Sequence, residues 1–126
     1  MSNNYEIYYK ELSYKVIGAC FTVHSRLGPG LPEHCYKHAL VLEFQGLHIP
    51  CSQESKFAVN YNDEHVGFFF TDLIIDNKIV LELKVDDKIT QHHLSQLHCY
   101  LHVTKLKLGY LINFGARRLQ YKRLVL

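Results

Sequence analysis

Apolar positions near the start of the chain recur at the spacing of α-helices. From about Tyr5 to Leu27 they form one stripe, which predicts a first helix with a buried face. The Gly28–Gly30 segment then ends that helix. Pro32 suits the first turn of a second helix, because its missing N–H would have no partner there. This second helix is expected to run to about Gln45, with Gly46 as its C-terminal stop.

After the second helix the period changes to that of β-strands. Three β-prone runs follow, at Ser52–Asn60, Val66–Ile75 and Ile79–Val85. Asn62-Asp63 marks a turn after the first run, and Asp76-Asn77-Lys78 marks one after the second. This middle part of the chain is therefore expected to form two consecutive hairpins.

The last third of the chain returns to helical spacing and then to strands. Asp86–Val103 predicts a third helix, and Lys107–Asn113 and Leu119–Val125 predict two strands joined through Gly115. The order ααβββαββ predicts an α/β fold with a mixed central β-sheet flanked by helices. There is no repeat, linker or low-complexity tract, so residues 1–126 are expected to form a single domain.

Charged side chains interrupt two strands that are otherwise typical of a buried sheet. Asp72 lies near the end of one apolar run, and Glu82 and Lys84 lie within the next. Burying an ionised side chain is costly unless it is paired or binds a metal. These three residues therefore mark a candidate site.

The loop between the two strands decides whether those charges share a face. A three-residue loop at residues 76–78 pairs Ile74 with Val80 and Asp72 with Glu82. A two-residue loop would instead leave Glu82 on the other face. We expect the odd-length loop, with its asparagine in the left-handed conformation.

The carboxylates of Asp72 and Glu82 are the hard oxygen ligands that Mg²⁺ prefers, and the Leu83 carbonyl is a third candidate oxygen. A metal there would polarise a phosphodiester and activate a bound water. Lys84 would orient that water or neutralise developing charge. The same spacing also occurs in a half-exposed hairpin with an ordinary cross-strand salt bridge.

Two helical segments contribute further candidates. Glu33 falls in the first turn of the second helix, where the helix dipole alone would favour it, and Tyr36 one turn later is expected in the core. His93, Gln96 and Tyr100 align on one face of the third helix. That face either meets a partner or reaches a phosphate or a metal-bound water.

Gly30, Glu33 and Tyr36 form the pattern G-x-x-E-x-x-Y, and the sequence resembles the GxxExxY protein family that this pattern names. The resemblance covers roughly residues 10 to 126. Further motifs follow in that family's order and approximate spacing: His24–Gly30, Asp72, Glu82-Leu83-Lys84, Gln96-x-x-x-Tyr100-Leu101 and Leu111–Gly115. One position departs from the wider pattern, where Thr71 rather than proline precedes the aspartate.

The GxxExxY family is similar to the PD-(D/E)XK nuclease superfamily. The resemblance therefore implies a restriction-endonuclease-like core and Mg²⁺-dependent cleavage of nucleic acid, DNA or RNA, with Mn²⁺ expected to substitute. It implies Asp72 and Glu82 as metal ligands and Lys84 as the catalytic lysine. Glu33 would be the helical acid that completes the metal site and shares in catalysis. Gln96 and Tyr100 would form the supporting catalytic motif on the helix.

The alternative is a non-catalytic nucleic-acid-binding or regulatory module that retains the nuclease fold. The net charge of +2 neither demands nor excludes a nucleic-acid partner. The intact set of two acids and a lysine disfavours this alternative, because an inactive domain gains little from holding like charges together. A homodimer stays open, since small nucleases often need a second protomer to cover a duplex.

The composition indicates a cellular compartment and disfavours a zinc site. Four cysteines without a C-x-x-C pair, and a polar N-terminus, predict reduced thiols in a cytoplasmic protein. No apolar run approaches the roughly 20 residues that a membrane span needs. The pairs His34/His38 and His98/His102 have helical ligand spacing, but zinc would need further ligands from elsewhere.

The sequence leaves one question about the protein surface open. Basic residues near the C-terminal end either contact phosphates or form solvated strand edges; they are Lys105, Lys107, Arg117, Arg118, Lys122 and Arg123. The run Phe68–Phe70 is expected to lie mostly in the core.

Overall fold

Eight helices and strands follow one another in the predicted order, in a computed structural model that describes residues 8–126. The elements are α1 Lys10–Leu27, α2 Glu33–Gly46, β1 Cys51–Tyr61, β2 Glu64–Ile75, β3 Ile79–Lys84, α3 Gln91–Thr104, β4 Leu108–Asn113 and β5 Gln120–Val125. The beginning predicted for the first helix, near Tyr5, lies outside the described residues.

The strands form one five-stranded sheet in the order β1-β2-β3-β4-β5. β3 and β4 are parallel and are joined through α3, whereas the other neighbouring strands are antiparallel. The predicted α/β fold, a mixed central sheet flanked by helices, is confirmed.

The two faces of β3 belong to two different hydrophobic cores. Leu81 and its odd-numbered neighbours pack with α1 and α2. Val80, on the other face, packs with Leu97 and Leu101 of α3. Because strand side chains alternate, Glu82 and Lys84 lie on the face that α3 covers. The topology thus brings the third helix over the charged positions of the sheet.

The third helix begins at Gln91, so the prediction that it starts at Asp86 was wrong. Thr90 caps the helix, because its hydroxyl accepts the His93 N–H at 3.3 Å while its own N–H donates to His93 Nδ1 at 3.1 Å. Asp86 is held elsewhere: its backbone N–H and C=O both bond the side-chain amide of Asn113, at 3.0 and 2.8 Å. These contacts with β4 hold Asp86 outside the helix, which begins five residues later.

The β1–β2 hairpin extends beyond the rest of the sheet. β2 pairs with β3 only from Leu73 to Ile75, so most of the hairpin has no third strand beside it. Phe68 and Phe70 are therefore 51% and 50% exposed, and the expectation that they lie in the core was wrong. The Asn62-Asp63 turn at the tip is present, with both residues at positive φ.

Two features concern the whole described part of the chain, its helix lengths and its cysteines. No helix within residues 8–126 is long and apolar enough to cross a membrane. Cys20, Cys35, Cys51 and Cys99 are all free thiols, as expected. Burial raises the pKa of the Cys51 thiol to about 11, so it is largely protonated at neutral pH.

Gly115 allows the loop after β4 to lie against the end of β3. A Cβ at this position would lie 2.4 Å from the backbone carbon of Val85 and 2.4 Å from the carbonyl oxygen of Asp86. The adjacent Phe114 N–H donates to the Lys84 carbonyl at 2.8 Å. The loop is thereby fixed to the residue that ends β3.

We expect Gly115→Ala to lower the free energy of unfolding by about 1–3 kcal/mol, because neither backbone neighbour can move without breaking this contact. Gly67→Ala is the matched control, since a Cβ there meets nothing within 4 Å. Urea denaturation measures both. Equal stability of the two variants would contradict the close approach at Gly115.

Candidate functional site

The second hairpin brings Asp72 and Glu82 to the same place. Ile74 pairs with Val80 and Ile75 with Ile79, which leaves the predicted three-residue loop at residues 76–78. Asp76 and Asn77 both have positive φ, at 53° and 54°, so the left-handed conformation extends one residue beyond the one predicted. The predicted register is confirmed, and it places Asp72 opposite Glu82.

The two acids replace backbone pairing where β2 and β3 separate. The last paired residues on this side are Leu73 and Leu81. Beyond them, Glu82 Oε1 accepts the backbone N–H of Asp72 at 3.0 Å, and Asp72 Oδ2 accepts the backbone N–H of Leu83 at 2.8 Å. Each carboxylate is thus oriented by the other strand, and Glu82 is only 5% exposed.

The G-x-x-E-x-x-Y segment positions a third acid. Gly30 has φ 107°, a conformation that favours glycine. The Tyr36 hydroxyl donates to the Gly28 carbonyl and accepts the Leu31 N–H at 3.1 Å, and its buried ring stacks on Phe114 at 4.6 Å. Tyr36 therefore fastens the loop before α2 and lies in the core as predicted. Glu33, in the first turn of α2, lies beside Asp72.

Three carboxyl groups are crowded together at this point. Burial, followed by the negative charge of Asp72, raises the pKa of Glu33 to about 7. The same two causes in the same order raise the pKa of Glu82 to about 9. A cation near Asp72 would lower the pKa of Glu33 and that of Glu82 again, because it favours the ionised form of each carboxyl.

The third helix contributes Gln96 and Tyr100 to the same site. Lys84 Nζ donates to Gln96 Oε1 at 2.9 Å. Burial, and then the charges of Glu82 and Asp72, raise the pKa of the Tyr100 phenol, which also interacts with Gln96. All six residues proposed from the sequence are thus linked by contacts or charge interactions.

His93 shares a helix face with Gln96 in the sequence but has a different position in the structure. Its Nδ1 accepts the Thr90 N–H, and its Nε2 lies 2.9 Å from Asp86 Oδ2. It caps α3 rather than joining the acids. Tyr100, on the same helix face, lies farther along α3, where its ring stacks on Phe69 with centroids 4.3 Å apart.

Two residues of the site were missed from the sequence, Lys37 and Glu54. Lys37 Nζ lies 3.6 Å from Asp72 Oδ1 and 3.3 Å from Glu54 Oε1. Burial opposes its charge, but the acids around it outweigh burial and raise its pKa. The helical spacing from Glu33 to Lys37 could have identified the lysine, since residues four apart share a helix face.

Glu54 had no comparable signal in the sequence. It lies between the pairs Gln53–Leu73 and Ser55–Thr71, and so stands opposite Asp72. Its φ is 48°, which interrupts regular pairing there. Its position depends on the β1–β2 register, which loop composition alone does not fix.

The carboxylates of the site meet the requirements of Mg²⁺ without forming a closed metal cage. Within residues 8–126, no three His, Cys, Asp or Glu side chains surround one point as a ready metal site, the histidine pairs included. Mg²⁺ does not need such a cage, because it uses one or two carboxylates and keeps several waters. Asp72 and Glu82, held side by side by their crossed hydrogen bonds to the backbone, supply the one or two carboxylates that Mg²⁺ requires.

Comparisons with known proteins point to one family and one fold. The family model for the PD-(D/E)XK nuclease superfamily matches residues 10–124. A solved structure titled "Crystal structure of SSO0001" is similar with a TM-score of 0.59 and 22% sequence identity, covering 97% of this chain and 59% of that chain. This chain therefore spans under two thirds of that protein, and the likeness concerns the fold alone. No curated protein matches.

Without divalent metal, we expect the stability of the protein to fall as pH rises from 5 to 9. Unfolded glutamate titrates near its ordinary pKa of 4.5, whereas Glu82 holds its proton to about 9. The native state thus retains a proton that the unfolded chain releases, so the free energy of unfolding decreases with pH.

Glu82→Gln stays neutral throughout and should flatten this fall by about 2–4 kcal/mol. Glu64→Gln, at an exposed position, is the control that leaves the slope unchanged. Urea denaturation at a series of pH values in EDTA measures both. A Glu82→Gln profile parallel to that of the wild type would refute the raised pKa.

Proposed function

Because the chain belongs to the PD-(D/E)XK nuclease superfamily, we propose that it hydrolyses phosphodiester bonds of nucleic acid with the help of a divalent metal. The observation that carries the proposal is the crossed pair of hydrogen bonds that holds Asp72 beside Glu82, next to Lys84. Two acids fixed this close, with a lysine two residues along the strand, suit a cation and a phosphate together. The narrower resemblance to the GxxExxY family stays a prediction.

In this proposal Asp72 and Glu82 hold Mg²⁺, Glu33 completes the site, and Mn²⁺ substitutes. The bound metal supplies Lewis acidity toward a phosphate oxygen and lowers the pKa of a coordinated water. Glu33, whose pKa burial and the charge of Asp72 raise to about 7 in the metal-free protein, would lose its proton as the metal binds.

Lys84 stabilises the negative charge that develops on the phosphate, and α3 sets its direction. Gln96 accepts from its ammonium group at 2.9 Å, and Tyr100 interacts in turn with Gln96. Gln96 and Tyr100 thus act by positioning the lysine. A side chain held in this way loses little freedom when the substrate binds.

The exposed pair Arg117 and Arg118 supports a nucleic-acid substrate. Both residues lie in the loop after β4. β4 is parallel to β3 and ends beside Lys84, which pairs with Asn113. His24 Nε2 donates to the Ala116 carbonyl at 2.9 Å, which fixes the loop at that end of the sheet. Positive side chains there suit the phosphates that flank a cleaved bond.

We expect Lys84→Met to lower cleavage of a labelled oligonucleotide by about 10²–10³-fold, since it removes one charge-stabilising group. The double variant Asp72→Ala/Glu82→Ala should have no metal-dependent activity. Asp63→Ala, at the exposed turn of the first hairpin, is the control with wild-type activity. The assay compares single- and double-stranded DNA and RNA with Mg²⁺, Mn²⁺ and EDTA.

Cleavage that survives in the double variant would come from a contaminant rather than from this site. If the wild type binds Mn²⁺ and nucleic acid but cleaves none of the four substrates, the alternative of a non-catalytic binding module is favoured instead.

We expect Arg117→Gln/Arg118→Gln to weaken oligonucleotide binding in EDTA and to reduce the slope of log K against log salt by about 1–2. The matched control is Lys105→Gln/Lys107→Gln, which removes two exposed positive charges at the opposite end of β4. Fluorescence anisotropy at several salt concentrations measures the slope. Equal losses in the two double variants would indicate unspecific charge attraction.

A further inference from the structure

Lys37 is a buried cation that the roles proposed above do not use. Its side chain is 10% exposed, and lysine is rarely buried to this extent unless it is paired. The two acids that form ion pairs with it differ in exposure. Asp72 is a proposed metal ligand with a side chain 19% exposed, whereas the Glu54 side chain is 69% exposed.

We propose that Lys37 is an internal counter-cation that is shared between Asp72 and Glu54 while the metal is absent and keeps only Glu54 when the metal binds. This inference rests on the metal site of the proposed function. In this inference Lys37 and Glu54 set how tightly the site binds a divalent cation. Both residues lie outside the superfamily pattern described above.

The contacts of Asp72 show where competition arises. Oδ2 already accepts the Leu83 N–H at 2.8 Å, whereas Oδ1 faces the ammonium group of Lys37 at 3.6 Å. A metal bound at Oδ1 would therefore meet a positive charge at short range. Two cations cannot share one carboxylate oxygen without strong repulsion, so Lys37 must withdraw as the metal enters.

Glu54 gives the lysine a place to go. Lys37 Nζ already donates to Glu54 Oε1 at 3.3 Å, the shorter of its two ion-pair distances. Without that acceptor, a displaced Lys37 would be a buried and unpaired charge, which is strongly destabilising. With it, the ammonium group keeps one partner throughout and needs only a small side-chain movement.

This arrangement predicts opposite effects for its two members. Lys37→Met removes the competing cation and leaves the acids uncompensated, so metal should bind more tightly. Glu54→Gln removes the negative charge that receives the lysine, so Lys37 stays on Asp72 and metal should bind more weakly. Charge attraction alone would also give opposite signs, so the double variant Lys37→Met/Glu54→Gln is the discriminating measurement. If Glu54 acts by receiving the lysine, its removal has no further effect once Lys37 is absent.

The test is calorimetric titration of Mn²⁺ into the whole chain at constant pH and ionic strength. We expect Lys37→Met to lower the Kd for Mn²⁺ by about 5-fold or more and Glu54→Gln to raise it by a similar factor. Lys78→Met is the matched control: Lys78 forms an exposed ion pair with Asp76 at 3.2 Å, away from the acids, and its removal should leave the Kd unchanged.

Opposite shifts in the two single variants, with the double variant matching Lys37→Met and no change in the control, support the inference. A double variant that binds Mn²⁺ more weakly than Lys37→Met would show charge attraction alone and overturn it. Unchanged or equally weakened binding in both variants overturns it and leaves the metal site intact. If Lys37→Met does not fold, a Glu54→Gln variant with wild-type affinity is sufficient to reject it. If neither the wild type nor Lys37→Met binds Mn²⁺, the inference and the proposed metal site both fail. Binding without cleavage would reject the proposed activity alone.

Discussion

The site depends on one local event, the separation of β2 from β3 immediately after the pair Leu73–Leu81. Where the ladder of backbone bonds ends, the carboxylates of Asp72 and Glu82 take its place, each bonding the backbone of the other strand. Buried acids would normally weaken a sheet. Here they supply hydrogen bonds that the separating strands would otherwise lack. The carboxylates that hold the strands together are thus the same ones that are proposed to bind a metal.

The acids gathered around this point outnumber the lysines. Glu33, Glu54, Asp72 and Glu82 face Lys37 and Lys84, so with every group ionised the acids exceed the lysines by two charges. One divalent cation would neutralise that excess. Without it, the raised pKa values of Glu33 and Glu82 show the other route, in which carboxyl groups keep their protons instead. Bound protons and a bound divalent ion are thus alternative ways of compensating this local excess of negative charge.

Much of this arrangement could be predicted from sequence because it follows from short-range geometry. The period of two along a strand and the odd loop fix the Ile74–Val80 pair, and that pair fixes which acids meet. The start of α3 could not be predicted in this way, since Asn113 holds Asp86 from a distant strand.

The exposure of Phe68 and Phe70 was missed for a related reason. A strand pattern says which residues alternate, but not whether a neighbouring strand extends far enough to cover them. Lys37 was missed because a lysine on a helix is usually solvated, whereas the side chain of this one is 10% exposed and lies 3.6 Å from Asp72.

The six proposed residues are not spread evenly along the chain. Asp72, Glu82, Lys84, Gln96 and Tyr100 come from one continuous stretch, the β2–β3 hairpin followed by α3, whereas Glu33 comes from α2, as does its neighbour Lys37. Suppose that the hairpin and α3 are formed but α2 has not docked. The chain would then hold five of the six residues together, without Glu33 and without Lys37. The site is therefore complete only when α2 packs on the sheet, so local undocking of this one helix would remove Glu33 and Lys37 together.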